Sequence, residues 1–231
     1  MVLDLDGTLV DSVPDLAAAL NRLMAQRSLA PFSRPEVAGM VGDGVGVLIE
    51  RAFAARGVAT DAAAVAAFLA DYGANAARET RAFPGVEATL AELVARRWRL
   101  AVCTNKPAAP ARALLAALGL ERLFAAIGAG DSFAVRKPDP GHLLATIAAA
   151  GGTPGRAVMV GDHRNDVLAA AGAGVPCVFA AWGYGTPEMG QGAAAVAGGF
   201  GELVGIAERL VPGEDGVPVR GRLVRGYRSC R

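Results

Sequence analysis

From residue 86 to residue 180, short apolar segments alternate with longer segments of helical periodicity. The expected strands are Leu100–Cys103, about 125–129, Val158–Val160 and Val175–Ala180, and the expected helices are 86–97, 108–118, 139–150 and 165–173. Alternation at this spacing predicts a parallel α/β sheet with helices on both faces. The apolar run that begins at Val2 is expected to add a buried strand. Ligands of such sheets bind beyond the carboxyl ends of the strands, so functional residues are expected at that edge.

Two acidic residues, Asp4 and Asp6, stand where the first strand ends. Alternate residues of a strand point to the same side, so the two carboxylates are predicted to project together. Like charges this close raise each other's pKa unless a cation lies beside them. The pair therefore indicates a divalent metal site, a carboxylate nucleophile with an acid–base partner, or both. The alternative is a strand end followed by an ordinary Asp-Gly turn.

Three further polar groups follow predicted strands. Thr104 and Asn105 come after one strand, Lys137 stands before a proline after the next, and Asp162 and Asp166 mark the start of a helix. A phosphoryl group, a hard divalent cation and a carboxylate nucleophile need this mixture of acids, ammonium and hydroxyl. The order of these groups, each placed after a strand, favours phosphoryl-transfer chemistry.

In these four motifs the chain resembles haloacid dehalogenase superfamily phosphatases of the phosphoglycolate phosphatase type. The matching segments are Asp4-Leu5-Asp6-Gly7-Thr8, Thr104-Asn105, Lys137-Pro138 and Gly161-Asp162-His163-Arg164-Asn165-Asp166. The resemblance covers roughly residues 1–211 and implies a three-layer, Rossmann-like core with an inserted helical cap. One departure is His163, where the family usually carries a small residue; its side chain is expected to point away from the metal.

The resemblance also implies a role for each site residue. Asp4 is expected to be the nucleophile that forms an aspartyl-phosphate, and Asp6 the general acid and then the general base. Lys137 is expected to neutralise charge on the nucleophile and the phosphate. Thr104 and the backbone amides around Leu5–Gly7 are expected to hold the phosphoryl oxygens. The position of Asn105 after a strand predicts that its side-chain amide also donates to an anionic oxygen.

A metal site and a cap turn complete the implied site. Mg²⁺ is expected to bind one oxygen of Asp4, the backbone carbonyl of Asp6 and Asp162, with Asp166 behind them to orient Lys137 or a metal-bound water. The glycine-dense cap turn is expected to face the substrate and set its size, through Gly42, Asp43 and Gly44.

The helical periodicity of residues 15–81 interrupts the strand–helix alternation. These residues are predicted to form the cap, and residues 1–14 and 82–211 the catalytic core. The Arg-rich residues 212–231 show no period and are predicted to be mostly disordered.

Relatives on the same fold carry out other chemistry, so the residues must decide between them. Dehalogenases of the superfamily lack the acid that Asp6 provides here. Phosphonate hydrolases need a cap lysine, and residues 15–81 contain none. Sugar phosphomutases use a cap histidine, whereas His142 and His163 both lie outside that segment. A phosphatase is therefore favoured, and the resemblance implies 2-phosphoglycolate as its substrate. The alternatives are a phosphatase for a small sugar phosphate or pyrophosphate, or a catalytically silent binding module.

Composition limits the partners of the chain. A net charge of +1 gives no field to attract nucleic acid or an anionic membrane, and three widely spaced cysteines fit a reducing compartment. We therefore expect a cytoplasmic protein that binds a small phosphorylated metabolite, neither nucleic acid nor membrane, with monomer and homodimer both open. Only two of its 23 basic residues are lysines, Lys106 and Lys137.

Overall fold

The computed structural model of the protein describes residues 1–211, so the predicted tail 212–231 lies outside the described residues. The strands are β1 (Val2–Leu3), β2 (Val10–Asp11), β3 (Arg81–Ala82), β4 (Leu100–Cys103), β5 (Phe124–Gly128), β6 (Met159–Gly161), β7 (Cys177–Ala180) and β8 (Ala195–Ala197). The helices are α1 (Val13–Gln26), α2 (Arg34–Ala38), α3 (Val45–Ala54), α4 (Ala62–Asn75), α5 (Val86–Ala95), α6 (Ala108–Ala117), α7 (Pro140–Ala149), α8 (Arg164–Ala173) and α9 (Leu203–Leu210). None of the described helices combines the length and the hydropathy that a bilayer crossing requires.

Six strands form one parallel sheet in the order β5–β4–β1–β6–β7–β8. The first strand lies at its centre, where Leu3 pairs with Val102 on β4 and with Val160 on β6. The predicted α/β class is confirmed. Strand limits differ from the prediction by up to two residues: β7 begins at Cys177 rather than Val175.

Helices cover both faces of this sheet, because side chains of successive strand residues point to opposite sides. Leu3 belongs to a buried cluster that includes residues of α5, α6 and α9. Its neighbour Val2 belongs to a second cluster, formed with residues of α7 and α8. A strand buried on both faces is apolar throughout, which is why the polar residue Asp4 appears only where β1 ends.

Helices α1–α4 have a hydrophobic cluster of their own, built from residues between 16 and 76. The chain leaves and re-enters the sheet domain through β2 and β3, which pair antiparallel. At this point the buried Asp15 carboxylate accepts hydrogen bonds from the backbone N–H of Glu79 (3.0 Å) and from the hydroxyl of Thr80 (2.7 Å). These bonds tie together the two ends of the helical segment. That residues 15–81 act as a cap domain stays a prediction.

Candidate active site

Strand order places three of the predicted motifs side by side. Because β1 lies between β4 and β6, the residues that follow these strands share one edge of the sheet. Asp4 follows β1, Thr104 follows β4 and Asp162 follows β6, and all three are buried.

Lys137 joins two of the acids at this edge. Its Nζ lies 3.0 Å from Oδ1 of Asp4 and 2.6 Å from Oδ1 of Asp166, and the side chain is 1% exposed. Burial lowers the pKa of the Lys137 ammonium, but the carboxylates of Asp166 and Asp4 raise it by more, so the net shift is upward. The lysine therefore stays protonated and supplies fixed positive charge beside Asp4. The expectation that Asp166 orients Lys137 agrees with this contact.

The backbone around Lys137 is held by a buried histidine, His142, in α7. The Lys137 N–H donates to Nδ1 of His142 at 3.2 Å, and Nε2 of the same ring lies 3.1 Å from the carbonyl oxygen of Ala129. This network assigns the proton to Nε2. Burial lowers the pKa of His142 to about 4, so the ring stays neutral and keeps both bonds at neutral pH.

Three buried carboxylates meet next to this lysine. Asp4, Asp162 and Asp166 each present an oxygen within 4.8 Å of the others. Asp162 accepts hydrogen bonds from the Thr8 hydroxyl and from the backbone N–H of Tyr184, both at 2.8 Å. Burial, followed by the charges of Asp4 and Asp166, raises the pKa of Asp162 to about 7. An all-oxygen, anionic donor set of this kind matches the preference of Mg²⁺.

Asp6 takes no part in that acidic group, since its carboxylate faces the helical segment. It accepts hydrogen bonds from the Ser12 hydroxyl at 2.6 Å and from Nζ of Lys106 at 3.0 and 3.1 Å. Ser12 is the N-cap residue of α1, but its side chain makes no hydrogen bond to the backbone of the helix. Its hydroxyl donates to Asp6 instead. Neither partner of Asp6 was predicted from the sequence. The one feature of the sequence that singled out Lys106 was that lysine is rare in this chain, which otherwise uses arginine.

The backbone N–H of Gly7 donates to the carbonyl oxygen of Val10 at 2.9 Å in this structure, and its predicted contact with phosphate stays a prediction. Gly7 also has a structural role. Its φ is +84°, and a Cβ built there would lie 2.2 Å from Oδ2 of Asp162. Glycine is therefore what allows Asp162 to approach the first strand.

The side-chain amide of Asn105, which was predicted to donate to an anionic oxygen, has two backbone acceptors in this structure. Its Nδ2 donates to the carbonyl oxygens of Gly42 at 3.0 Å and Lys137 at 2.9 Å, which uses both amide hydrogens. Asn105 instead connects the cap turn to the loop that carries Lys137. The Thr104 hydroxyl accepts a hydrogen bond from the Lys106 N–H at 3.2 Å, so its own hydrogen remains free for an anion.

The cap turn lies against the edge of the sheet. Asn165 donates to the Gly42 carbonyl at 3.2 Å and to Oδ1 of Asp43 at 2.7 Å, while Gly44 lies beside the carbonyl of Asn105. The ring of His163 lies against Gly42, where a Cβ would come within 2.6 Å of it. Gly42 has a φ of +122°, so both its conformation and its close contact require glycine.

A cavity opens between the sheet edge and the helical segment. Asp4, Asp6 and Thr104 line the side formed by the sheet domain. The opposite side is mostly apolar and consists of residues of the helical segment, among them Leu48, Phe68 and Tyr72. The arrangement can hold a small ester with its phosphoryl group at Asp4.

The family model of the haloacid dehalogenase-like hydrolases matches residues 1–174. The chain belongs to this family. It is 45% identical over 212 residues to the phosphoglycolate phosphatase of Rhodospirillum rubrum, covering 88% of each chain. It is 46% identical over 187 residues to the phosphoglycolate phosphatase of Agrobacterium fabrum, covering 79% of this chain and 80% of that one.

Solved structures of this family share the fold. The crystal structure of a predicted phosphoglycolate phosphatase from Haemophilus somnus has a TM-score of 0.82 at 31% identity and covers 89% of this chain and 96% of that one. A mutant of CbbY from Rhodobacter sphaeroides, in complex with xylulose-(1,5)bisphosphate, has a TM-score of 0.74 at 27% identity and covers 87% of this chain and 94% of that one. The resemblance inferred from the four motifs is thereby confirmed at the level of the family.

The raised pKa of Asp162 leads to a pH-dependent stability. In the folded, metal-free protein this carboxyl titrates near 7, whereas its ordinary value is 3.8. Between those values the folded state holds a proton that the unfolded chain has lost, so the free energy of unfolding falls as the pH rises through this range. With chelator, Tm is expected to be higher by a few degrees at about pH 5.5 than at about pH 8. Mg²⁺ is expected to raise Tm more at the higher pH, because the metal replaces the proton.

Thermal unfolding with and without Mg²⁺ at both pH values measures this effect. The Asp162→Asn variant is the control for the other titrating groups. Its Tm is expected to depend less on pH and on Mg²⁺, and the remaining pH dependence is expected from Asp166, whose pKa burial also raises. An equal Mg²⁺ shift at the two pH values in the unsubstituted protein would contradict the prediction.

Proposed function

We propose that this protein is a Mg²⁺-dependent phosphomonoester hydrolase that works through an aspartyl-phosphate on Asp4 and takes 2-phosphoglycolate as its substrate. The observation that carries the proposal is the position of Asp4 in the cavity, with Lys137 beside it. The relatives named phosphoglycolate phosphatase, at about 45% identity over most of both chains, support the choice of substrate.

Asp4 is held in a position suited to attack. Its Oδ1 accepts hydrogen bonds from the Leu5 N–H at 2.7 Å and from Lys137 at 3.0 Å. The other oxygen, Oδ2, would attack phosphorus while the bond from phosphorus to the ester oxygen breaks. Lys137 stabilises the charge that develops, and the Thr104 hydroxyl donates to a phosphoryl oxygen.

Asp6 would act as the general acid for the leaving group and then as the general base for the attacking water. It would give a proton to the departing ester oxygen, which leaves as the alcohol. It would then take a proton from the water that attacks the aspartyl-phosphate, so that Asp4 is released and phosphate forms. For both steps Asp6 must reach the phosphoryl group from its place beside Lys106.

The acidic group fits Mg²⁺. Three buried carboxylates beside one lysine form an anionic, all-oxygen donor set, and both oxygens of Asp162 are oriented by hydrogen bonds. Asp4 and Asp162 would hold the ion together with the backbone carbonyl of Asp6, and Asp166 would support it from behind. When bound, Mg²⁺ supplies charge neutralisation and orientation for the phosphoryl oxygens.

Residues 15–81 act in this proposal as a cap that limits substrate size. The hydrogen bonds from Asn105 and Asn165 to Gly42 bring the cap turn onto the sheet edge. Closure in this position excludes water and leaves room for a small leaving group. A small sugar phosphate is the second candidate substrate, favoured by the complex of CbbY with xylulose-(1,5)bisphosphate.

Phosphate release with Mg²⁺ tests the proposal, with phosphoglycolate, hexose phosphates, nucleoside monophosphates and a phosphopeptide compared at equal concentration. Phosphoglycolate is expected to give the highest kcat/KM. Excess chelator is expected to abolish turnover, and added Mg²⁺ to restore it. Full activity in chelator would refute the metal-dependent mechanism. A nucleotide or phosphopeptide ahead by more than about tenfold would refute the cap argument, whereas a faster sugar phosphate would change the substrate alone.

A further inference from the structure

Lys106 occupies an unusual place for a cation. Its side chain is 5% exposed, and its Nζ lies between the carboxylate of Asp6 in the sheet domain and the hydroxyl of Tyr72 in α4, which is 2.8 Å away. The ammonium also lies 4.4 Å from the centre of the Tyr72 ring. Lys106 is thus the point where a charge of the core meets the cap.

Lys106 also lines the cavity in which a substrate would bind. Among the described residues that line it, Lys106 is the one cationic side chain, and the wall around it includes Phe68, Leu69 and Pro107. Asp4 and Asp6 line the same cavity. When the phosphoryl group of a ligand lies at Asp4, the alcohol part of the ligand therefore extends into an apolar space. Lys106 is the cationic side chain that faces this space.

We propose that Lys106 binds a negative charge on the leaving group, so that the enzyme selects phosphate esters whose alcohol carries a carboxylate. This inference rests on the proposed phosphatase function and names the residue that would choose the substrate. The hydroxyl of Tyr72 fixes the ammonium from the cap side, so recognition of the carboxylate depends on the cap being in place.

The pairing of Lys106 with Asp6 supports this assignment. The ammonium has three N–H donors, and Asp6 and Tyr72 are its partners in this structure. When Asp6 turns to the ester oxygen, Lys106 loses hydrogen bonds to its counterion. A buried ammonium without a counterion is costly. A carboxylate on the leaving group compensates for that loss, whereas an uncharged alcohol does not.

Substitution of Lys106 combined with a matched pair of substrates tests the proposal. Phosphoglycolate and ethyl phosphate differ by a carboxylate in place of a methyl group. Lys106→Met removes the charge at similar size, and Lys106→Gln also removes it but retains a donor for Asp6. Arg22→Met is the control, because it removes an exposed cap cation that pairs with Asp71. All proteins are assayed with saturating Mg²⁺ after a check of cooperative unfolding.

The unsubstituted protein is expected to prefer phosphoglycolate over ethyl phosphate in kcat/KM by on the order of 10²-fold, the scale of a desolvated charge pair. In both Lys106 variants this preference is expected to fall to about tenfold or less, through a loss on phosphoglycolate. Arg22→Met is expected to keep it.

Three results would overturn the proposal. One is an equal loss on both substrates in the Lys106 variants, which would show that Lys106 only positions Asp6. Another is an unchanged preference in them. The third needs no variant: equal kcat/KM for the two esters in the unsubstituted protein. In all three cases the proposed phosphatase function stands, whereas no hydrolysis of any ester with Mg²⁺ would refute that function and this inference with it.

Discussion

The Asp4→Asn variant is expected to fold normally and to lose turnover by roughly 10⁴–10⁶-fold, the scale seen when an enzyme nucleophile is removed. An amide oxygen is a far poorer nucleophile than a carboxylate oxygen. Stability should be retained, since the Asn oxygen can still accept from Leu5 and Lys137 still pairs with Asp166 at 2.6 Å. Removing one of three clustered acids also relieves their repulsion.

Acid quenching during turnover gives an independent measurement for the same residue. In the unsubstituted protein, mass spectrometry is expected to find a phosphoryl group on the peptide that contains Asp4, sensitive to hydroxylamine as acyl phosphates are. The Asp4→Asn protein is expected to carry none. Turnover within about tenfold of normal in this variant, or phosphorylation of a different residue, would rule out Asp4 as the nucleophile.

The Asp6→Asn variant is expected to lose about 10²–10⁴-fold in kcat for phosphoglycolate, the range of a general acid or base. The loss should depend on the leaving group. With 4-nitrophenyl phosphate the departing phenolate is stable without a proton, so the first step should be nearly normal. The second step still lacks its base. A burst of one nitrophenolate per enzyme followed by slow turnover is therefore expected in stopped-flow absorbance.

Ser12→Ala provides the matched control for Asp6. It removes the hydroxyl that donates to Asp6 at 2.6 Å but leaves the carboxylate in place. A loss of about tenfold or less is expected, as for one hydrogen bond. An Asp6→Asn variant that loses equally on both esters and shows no burst would argue that Asp6 positions other groups and transfers no proton.

The local pattern of the sequence was sufficient for the architecture. Apolar strands alternating with amphipathic helices predict a parallel sheet, and the polar residues after β1, β4 and β6 were expected at one edge. The structure places Asp4, Thr104 and Asp162 together there because these three strands are neighbours. The strand limits shifted by up to two residues, since they depend on ladder hydrogen bonds that a pattern of side chains does not specify.

Hydrogen bonds that the motifs do not specify decided how the other site residues are used. Gly7 and Asn105 were expected to bind phosphate, yet the N–H of Gly7 closes a local turn and the Asn105 amide bridges Gly42 and Lys137. A short motif shows which groups are present but does not show which backbone carbonyl will use their hydrogens.

The environment of Asp6 shows most clearly what the sequence predicts and what the tertiary structure adds. By itself the sequence predicted that Asp4 and Asp6 follow one strand and that their carboxylates project together. It did not determine that Asp6 pairs with Lys106, 100 residues along the chain, or that Lys106 meets Tyr72, 34 residues away in α4. Asp6 and Lys106 meet because they follow the neighbouring strands β1 and β4, and Lys106 meets Tyr72 because the helical segment, with its own hydrophobic cluster, lies over the sheet edge. A buried charge is costly without a partner of opposite charge. Only the tertiary structure determines which partner is within reach.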